Sequence, residues 1–249
     1  MDGTASGKER LGVNAAAALL TLLLVLAVLA PAGGQTPGNA AFRVFQRGVP
    51  IGTVDVSLAR EGDGWRIQST SRVAGSVNVS LGRFDASYDS RWYGRFMSME
   101  TAPLSAPDQR AATTIVHVAM SGRTTRTDTV TATEARWRSD SVSPDTVFLP
   151  PHVYGAFEAV AARLHAAGQR AELPLLLPLD GERRAVVDGW ERMEVPMRSG
   201  PPLPASRHTV SLIAAVPASF HVWEVEGRLL RVELPLDGIS VVRTDVLGP

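Results

Sequence analysis

The side chains best suited to metal binding or proton transfer are five histidines: His117, His152, His165, His208 and His221. No two of them form an H-x-H or H-x-x-x-H pair, and the chain has no cysteine. A metal site would have to assemble from distant strands, and none is expected. His117 alternates with Val116 and Val118 and reads as a strand-face residue, while His165 reads as the wet side of a helix. The nearest approach to a nucleophile elbow, Gly75-Ser76-Val77-Asn78, lacks the second glycine of that motif. Asp89-Ser90 and Asp128-Thr129 are not followed by the glycine that an aspartic-protease dyad would carry. Asp85 and Asp89 share a strand parity with Arg83 and Arg91, which suits solubilising charge better than acid catalysis. Walker and Rossmann phosphate loops are absent. Asn78-Val79-Ser80 matches a glycosylation acceptor and is too short a motif to build on. These patterns leave no catalytic residue, metal or cofactor to name, and the chain is read as a non-enzyme.

The elements that would position any site are strands. Val54, Val56 and Leu58 alternate with Thr53, Asp55 and Ser57, the mark of a half-buried strand. Gly62-Asp63-Gly64 turns the chain into the next one. In "RFDASYDSRW", Phe84, Ala86, Tyr88 and Trp92 share one parity and the charged residues the other. Thr114, Val116, Val118 and Met120 begin a further strand. Thr125, Thr127, Thr129, Thr131 and Thr133 then make a threonine ladder, read as a solvent-facing strand surface rather than an ice-binding one.

One helix is expected between Pro150-Pro151 and Gly168, with Val153, Phe157, Val160, Leu164 and Ala167 as its apolar stripe and Glu158, Arg163 and His165 off it. Beyond it, Asp180-Gly181, Asp188-Gly189, Glu226-Gly227 and Asp237-Gly238 read as hairpin turns. Pro196 and Pro235 mark strand ends or edges. About ten strands and one major helix without βαβ alternation predict a mainly β fold: a curved antiparallel sheet, or incomplete β-barrel, wrapped around a helix.

Lys8 and Arg10, the apolar run Ala15 to Ala30 and the small-x-small site Ala30-Pro31-Ala32 predict a secretory signal over residues 1–32, with an uncleaved N-terminal anchor as the alternative. A linker over 33–40 and a single β-rich domain over 41–249 follow. Export without cysteine means a fold that stands without disulfides. The formal net charge of +0 argues against a nucleic-acid partner. Every basic residue after Lys8 is an arginine, but none cluster along the chain as phosphate recognition would require.

Three stretches, "FRVFQRGVPIGTVDVSL" with "GDGWRIQS", "LPPHVYGAFEAVAARL" and "VWEVEGRLLRVELP", form an ordered set. As a set they resemble a bacterial exported domain-of-unknown-function family. That family is similar in architecture to the envelope lipoprotein-localisation carriers, whose half-barrel encloses a helix and an apolar cavity. The resemblance implies a fold and an envelope setting, not an activity.

Two functions are therefore expected. The first is a binding module for lipid or another apolar ligand, lined by Phe84, Tyr88, Trp92, Val116, Val118, Phe157, Leu164, Trp223 and Val225. The second is an envelope scaffold or interaction protein with a filled barrel. An empty apolar volume between helix and sheet favours the carrier, and a filled one the scaffold.

Overall fold

The computed structural model describes residues 35–74, 81–103, 113–168, 172–213 and 218–247. The chain divides into two compact units, residues 1–34 and 35–249, and every described residue belongs to the second. Residues 1–32, expected to be a secretory signal, the Gly75-to-Asn78 stretch and the Asn78-Val79-Ser80 motif lie outside the described residues.

The first half is a meander of eight strands: β1 (Gly38–Gln46), β2 (Val49–Glu61), β3 (Gly64–Val73), β4 (Leu81–Tyr88), β5 (Gly94–Ala102), β6 (Thr114–Ser121), β7 (Thr124–Val130) and β8 (Ala135–Ser141). A two-residue strand β9 (Val147–Phe148), a 3-10 turn (Tyr154–Ala156) and helix α1 (Phe157–Ala167) follow. The chain then returns through β10 (Glu172–Leu177), β11 (Gly181–Val195), β12 (Leu203–Ile213), β13 (Ala218–Val225), β14 (Arg228–Leu234) and β15 (Ile239–Arg243). β1 begins inside the stretch read as a linker. Gln35 is already buried there, its side-chain amide donating to the Gly227 carbonyl at 2.8 Å.

All fifteen strands form one sheet in the order β8-β7-β6-β5-β4-β3-β2-β1-β15-β14-β13-β12-β11-β10-β9. Every neighbouring pair is antiparallel except β9 and β10. A parallel pair needs a crossover, and α1 is that crossover. The sequence pattern hid this unit because β9 is too short to show alternation.

The sheet is curved and does not close into a barrel. Its edge strands β8 and β9 lie at opposite ends of the order yet are joined by residues 142–146, and side chains rather than a ladder hold this region. Arg138 donates to the carbonyls of Pro178 (2.7 Å) and Leu179 (2.9 Å). Glu182 accepts from the Ser143 backbone N–H (2.6 Å), the Ser143 hydroxyl (2.9 Å) and the Thr146 hydroxyl.

Turn chemistry explains most of the hairpins. Arg47-Gly48 and Glu226-Gly227 both have positive φ at each central residue, as two-residue hairpins require. Asp188-Gly189 is different: it lies inside β11, where the register against β12 shifts between Val187 and Gly189. It is a bulge rather than a turn.

The inner face carries one continuous core. Phe42, Val54, Val56, Ile67, Phe84, Met97, Val116, Val118, Val210, Val222 and Val232 come from strands of both halves, and Phe157, Val160 and Leu164 come from α1. α1 packs on β9, β13 and β14, and the 3-10 turn before it packs on β2 and β3. Gly155 makes that approach possible, since a Cβ there would sit 2.4 Å from Ser69 Cβ. Gly168 ends the helix with φ 71°, its N–H donating to the Leu164 carbonyl.

Two expectations about faces are corrected. Thr125 and Thr127 of the threonine ladder are buried, and the strand ends at Val130, before Thr131 and Thr133. No exposed flat threonine face results. Glu158, expected off the apolar stripe, is fully buried. α1 is enclosed on more than one side, so its polar positions did not mark a solvent face.

Candidate ligand-binding site

Seven of the nine sequence-predicted ligand residues lie in the main core: Phe84, Tyr88, Trp92, Val116, Val118, Phe157 and Leu164. They pack tightly on one another and on their neighbours. Trp65 and Trp92 stack at 5.1 Å, Tyr88 meets Trp92 and Phe148 at 5.7 Å each, and Phe157 meets Phe220 edge-on at 5.4 Å. Trp92 arrives there from a turn rather than from β4. Asp89 accepts from the N–H groups of Arg91 and Tyr93, and Trp92 takes φ 68°. Burial pushes the Tyr88 phenol well above its ordinary pKa.

The other two residues, Trp223 and Val225, do not point at this interior. On β13 it is Phe220, Val222 and Glu224 that face inward, while Trp223 joins Ala205, Leu230 and Leu247 in a second apolar cluster against which Val225 packs. The cause is that both faces of β13 are buried, so alternation alone does not identify the inner one. On β14 a register shift opposite Trp223 and Glu224 sends Leu229 to the main core and Leu230 to the second cluster.

The second cluster opens into a cleft of about 950 Å3. Its lining includes Arg43 and Phe45 of β1, Ser240 and Val242 of β15, Leu230, Arg231 and Glu233 of β14, and Trp223 of β13. The end of β11 and the residues after it contribute Met193, Glu194, Val195, Pro196 and Arg198, and the C-terminal segment contributes Leu247. A Met197–Leu247 bridge and an Arg198 N–H donated to the Val246 carbonyl tie these last two segments together. Trp223 is fixed in the wall: its indole N–H points at Met193 Sδ at 3.1 Å, and the Arg207 and Arg231 guanidiniums lie 5.2 Å from its ring.

A second groove, of about 730 Å3, runs along β1 to β5, with the polar residues Asp55, Gln68, Arg83, Asp85, Ser98 and Glu100 in its lining; Phe84 borders it. Arg66 grips Asp85 through two hydrogen bonds, of 2.8 and 2.7 Å, and holds that carboxyl below its ordinary pKa. Residues of α1 line neither this groove nor the cleft.

Beneath α1 lies a buried polar cluster that the sequence did not announce. Glu158 accepts from the Leu229 backbone N–H at 3.1 Å and from Arg228 Nε at 3.4 Å. Burial pushes the Glu158 carboxyl up, against the pull of Arg228 and the Leu229 N–H. Glu224, 2% exposed, accepts from the Gly227 N–H at 2.8 Å and has His165 Nδ1 at 3.1 Å and His208 Nε2 at 3.5 Å. Burial pushes the Glu224 carboxyl up as well, but the His208 ring, the Gly227 N–H and the His165 ring outweigh it and hold it below its ordinary value. The arrangement locks the β13–β14 hairpin to the helix. Among the described residues, no group of three or more His, Asp or Glu side chains is placed to hold a metal ion. Nor is any described helix long and apolar enough to cross a membrane.

The sequence matches no protein-family model and no curated protein. Among solved structures it is similar to a DUF1089 family protein from Pseudomonas aeruginosa, at 16% identity and a TM-score of 0.38, over 73% of this chain and 89% of that one. That protein, like the group the sequence resembles, comes from a domain-of-unknown-function family, and a likeness at this TM-score carries no argument about activity or ligand.

Proposed function

We propose that this chain is a non-catalytic binding module for lipid or another apolar ligand, acting in the cell envelope after export. The observation that carries the reading is the cleft of about 950 Å3 beside Trp223, within the size range of small-molecule sites and lined by Phe45, Met193, Val195, Trp223, Leu230, Val242 and Leu247. An acyl chain is its natural occupant, because each buried methylene contributes about 0.8 kcal/mol. The seat differs from the one the sequence suggested. Phe157, Val160 and Leu164 are buried in the main core, where α1 packs on β9, β13 and β14, and the space beneath α1 is occupied by side chains. The export segment supports the envelope setting.

A second reading, an envelope scaffold, is favoured by that same filled interior. Titration of delipidated protein with a fluorescent fatty acid separates the two. Under the binding reading, saturable quenching occurs and most of it is lost in Trp223→Phe, although four other tryptophans remain. Absence of saturable binding at high micromolar ligand supports the scaffold.

A further inference from the structure

Resting on the cleft as the ligand seat, we infer that its ligand is an amphiphile with an anionic head group, held at the rim by Arg43 and Arg198. Three arginines line the cleft, Arg43, Arg198 and Arg231, against two glutamates, Glu194 and Glu233. Arg231 is already committed, since it pairs with Glu233 and lies over Trp223. Arg207, on the other side of Trp223, is bonded to Glu191 at 2.7 Å. Arg43 and Arg198 differ from both: among the described residues neither guanidinium has a hydrogen bond or ion pair. They belong to segments far apart in sequence, β1 and the loop after β11, and the fold brings both to one apolar cleft. Setting the Arg231–Glu233 pair aside, two guanidiniums face one carboxylate, Glu194, and the balance favours an anion.

The chemistry follows from the geometry of the side chain. A guanidinium presents planar paired donors that match a carboxylate or a phosphate, and it stays charged at any physiological pH. The apolar wall takes the chain and the rim takes the head. Neither carboxylate nor phosphate is singled out, and either group on an acyl chain satisfies the site. A neutral amphiphile fills the same wall and leaves both guanidiniums to water.

The test compares amphiphiles of one chain length below their micelle concentrations at pH 8 and low salt: dodecanoate, dodecyl phosphate and the neutral monododecanoylglycerol, with inorganic phosphate alone as a fourth arm. Calorimetric titration of wild type is expected to show both anions binding about tenfold more tightly than the neutral compound, a preference that shrinks with added salt. Arg43→Gln/Arg198→Gln is expected to bring all three to the neutral affinity, and each single variant to lose part of the preference, with melting temperature unchanged. Equal affinities in wild type overturn the anionic-head inference and leave the apolar cleft standing. A preference that survives the double variant overturns the assignment to these arginines. Competition by millimolar inorganic phosphate against dodecyl phosphate overturns the amphiphile in favour of a free anion site. If no amphiphile binds at all, the cleft reading itself falls.

Discussion

Glu158 on α1 and Arg228 at the start of β14 face each other across 3.4 Å, with the carboxylate wholly buried and also holding the Leu229 N–H. The pair joins the helix to the sheet beside the apolar packing of α1 on β14, where Leu229 enters the main core. Removing one partner of a buried pair leaves the other uncompensated. Glu158→Ala is therefore expected to cost about 3–5 kcal/mol, measured by urea denaturation. A value within roughly ±0.5 kcal/mol, as at an exposed surface position, would mean that Glu158 is not buried as described.

The two buried carboxylates give opposite pH dependences. Glu224 lies below its ordinary value of 4.5, so the stability it contributes is present above that value and is lost as pH falls through the lower folded one. Glu158 lies above 4.5, so its contribution is full below that value and is lost as pH rises through the raised one. Thermal melts across pH should show Glu224→Gln flattening the acid limb and Glu158→Gln flattening the limb above pH 4.5. If both variants altered the same limb, one of the two assignments would be wrong.

Phe157 is buried against Phe220 and the inner sheet face. Phe157→Ala should cost about 3–5 kcal/mol while leaving fatty-acid affinity unchanged in the folded protein, because no α1 residue lines the cleft. A large loss of affinity with an intact fold would return the ligand to the space beneath the helix.

Glu182 fastens the β8–β9 connection through Ser143 and Thr146. Charge-assisted bonds of this kind contribute about 1.5–3 kcal/mol each. Glu182→Ala should lower the global stability and raise hydrogen exchange at the Ser143 N–H before exchange rises in β1 to β3. Uniform exchange across the sheet would show that the connection is not a local fastening.

The fold class was legible because alternation in β2 and β4, and turn glycines at Gly62 and Gly238, each carry local chemistry. What was hidden depends on contacts across the sheet. "FHVWEV" is apolar at both parities, so nothing local says that Val222 faces in and Trp223 out. Asp188-Gly189 reads as a turn locally, and only pairing with Thr209 makes it a bulge. Glu158 looks like a surface residue until Arg228, seventy positions away, is brought to it. The cleft is least legible of all, because its walls come from β1, β11, β13, β14, β15 and Leu247.

The central claim is that an apolar ligand sits beside Trp223 and not beneath α1. A crystal structure with bromododecanoic acid tests it directly, because the anomalous signal of bromine locates the chain without interpretation of weak density. The account predicts a bromine peak between Trp223, Leu230 and Leu247. A peak among Phe84, Tyr88 and Phe157, or none in protein shown to be saturated in solution, would contradict it.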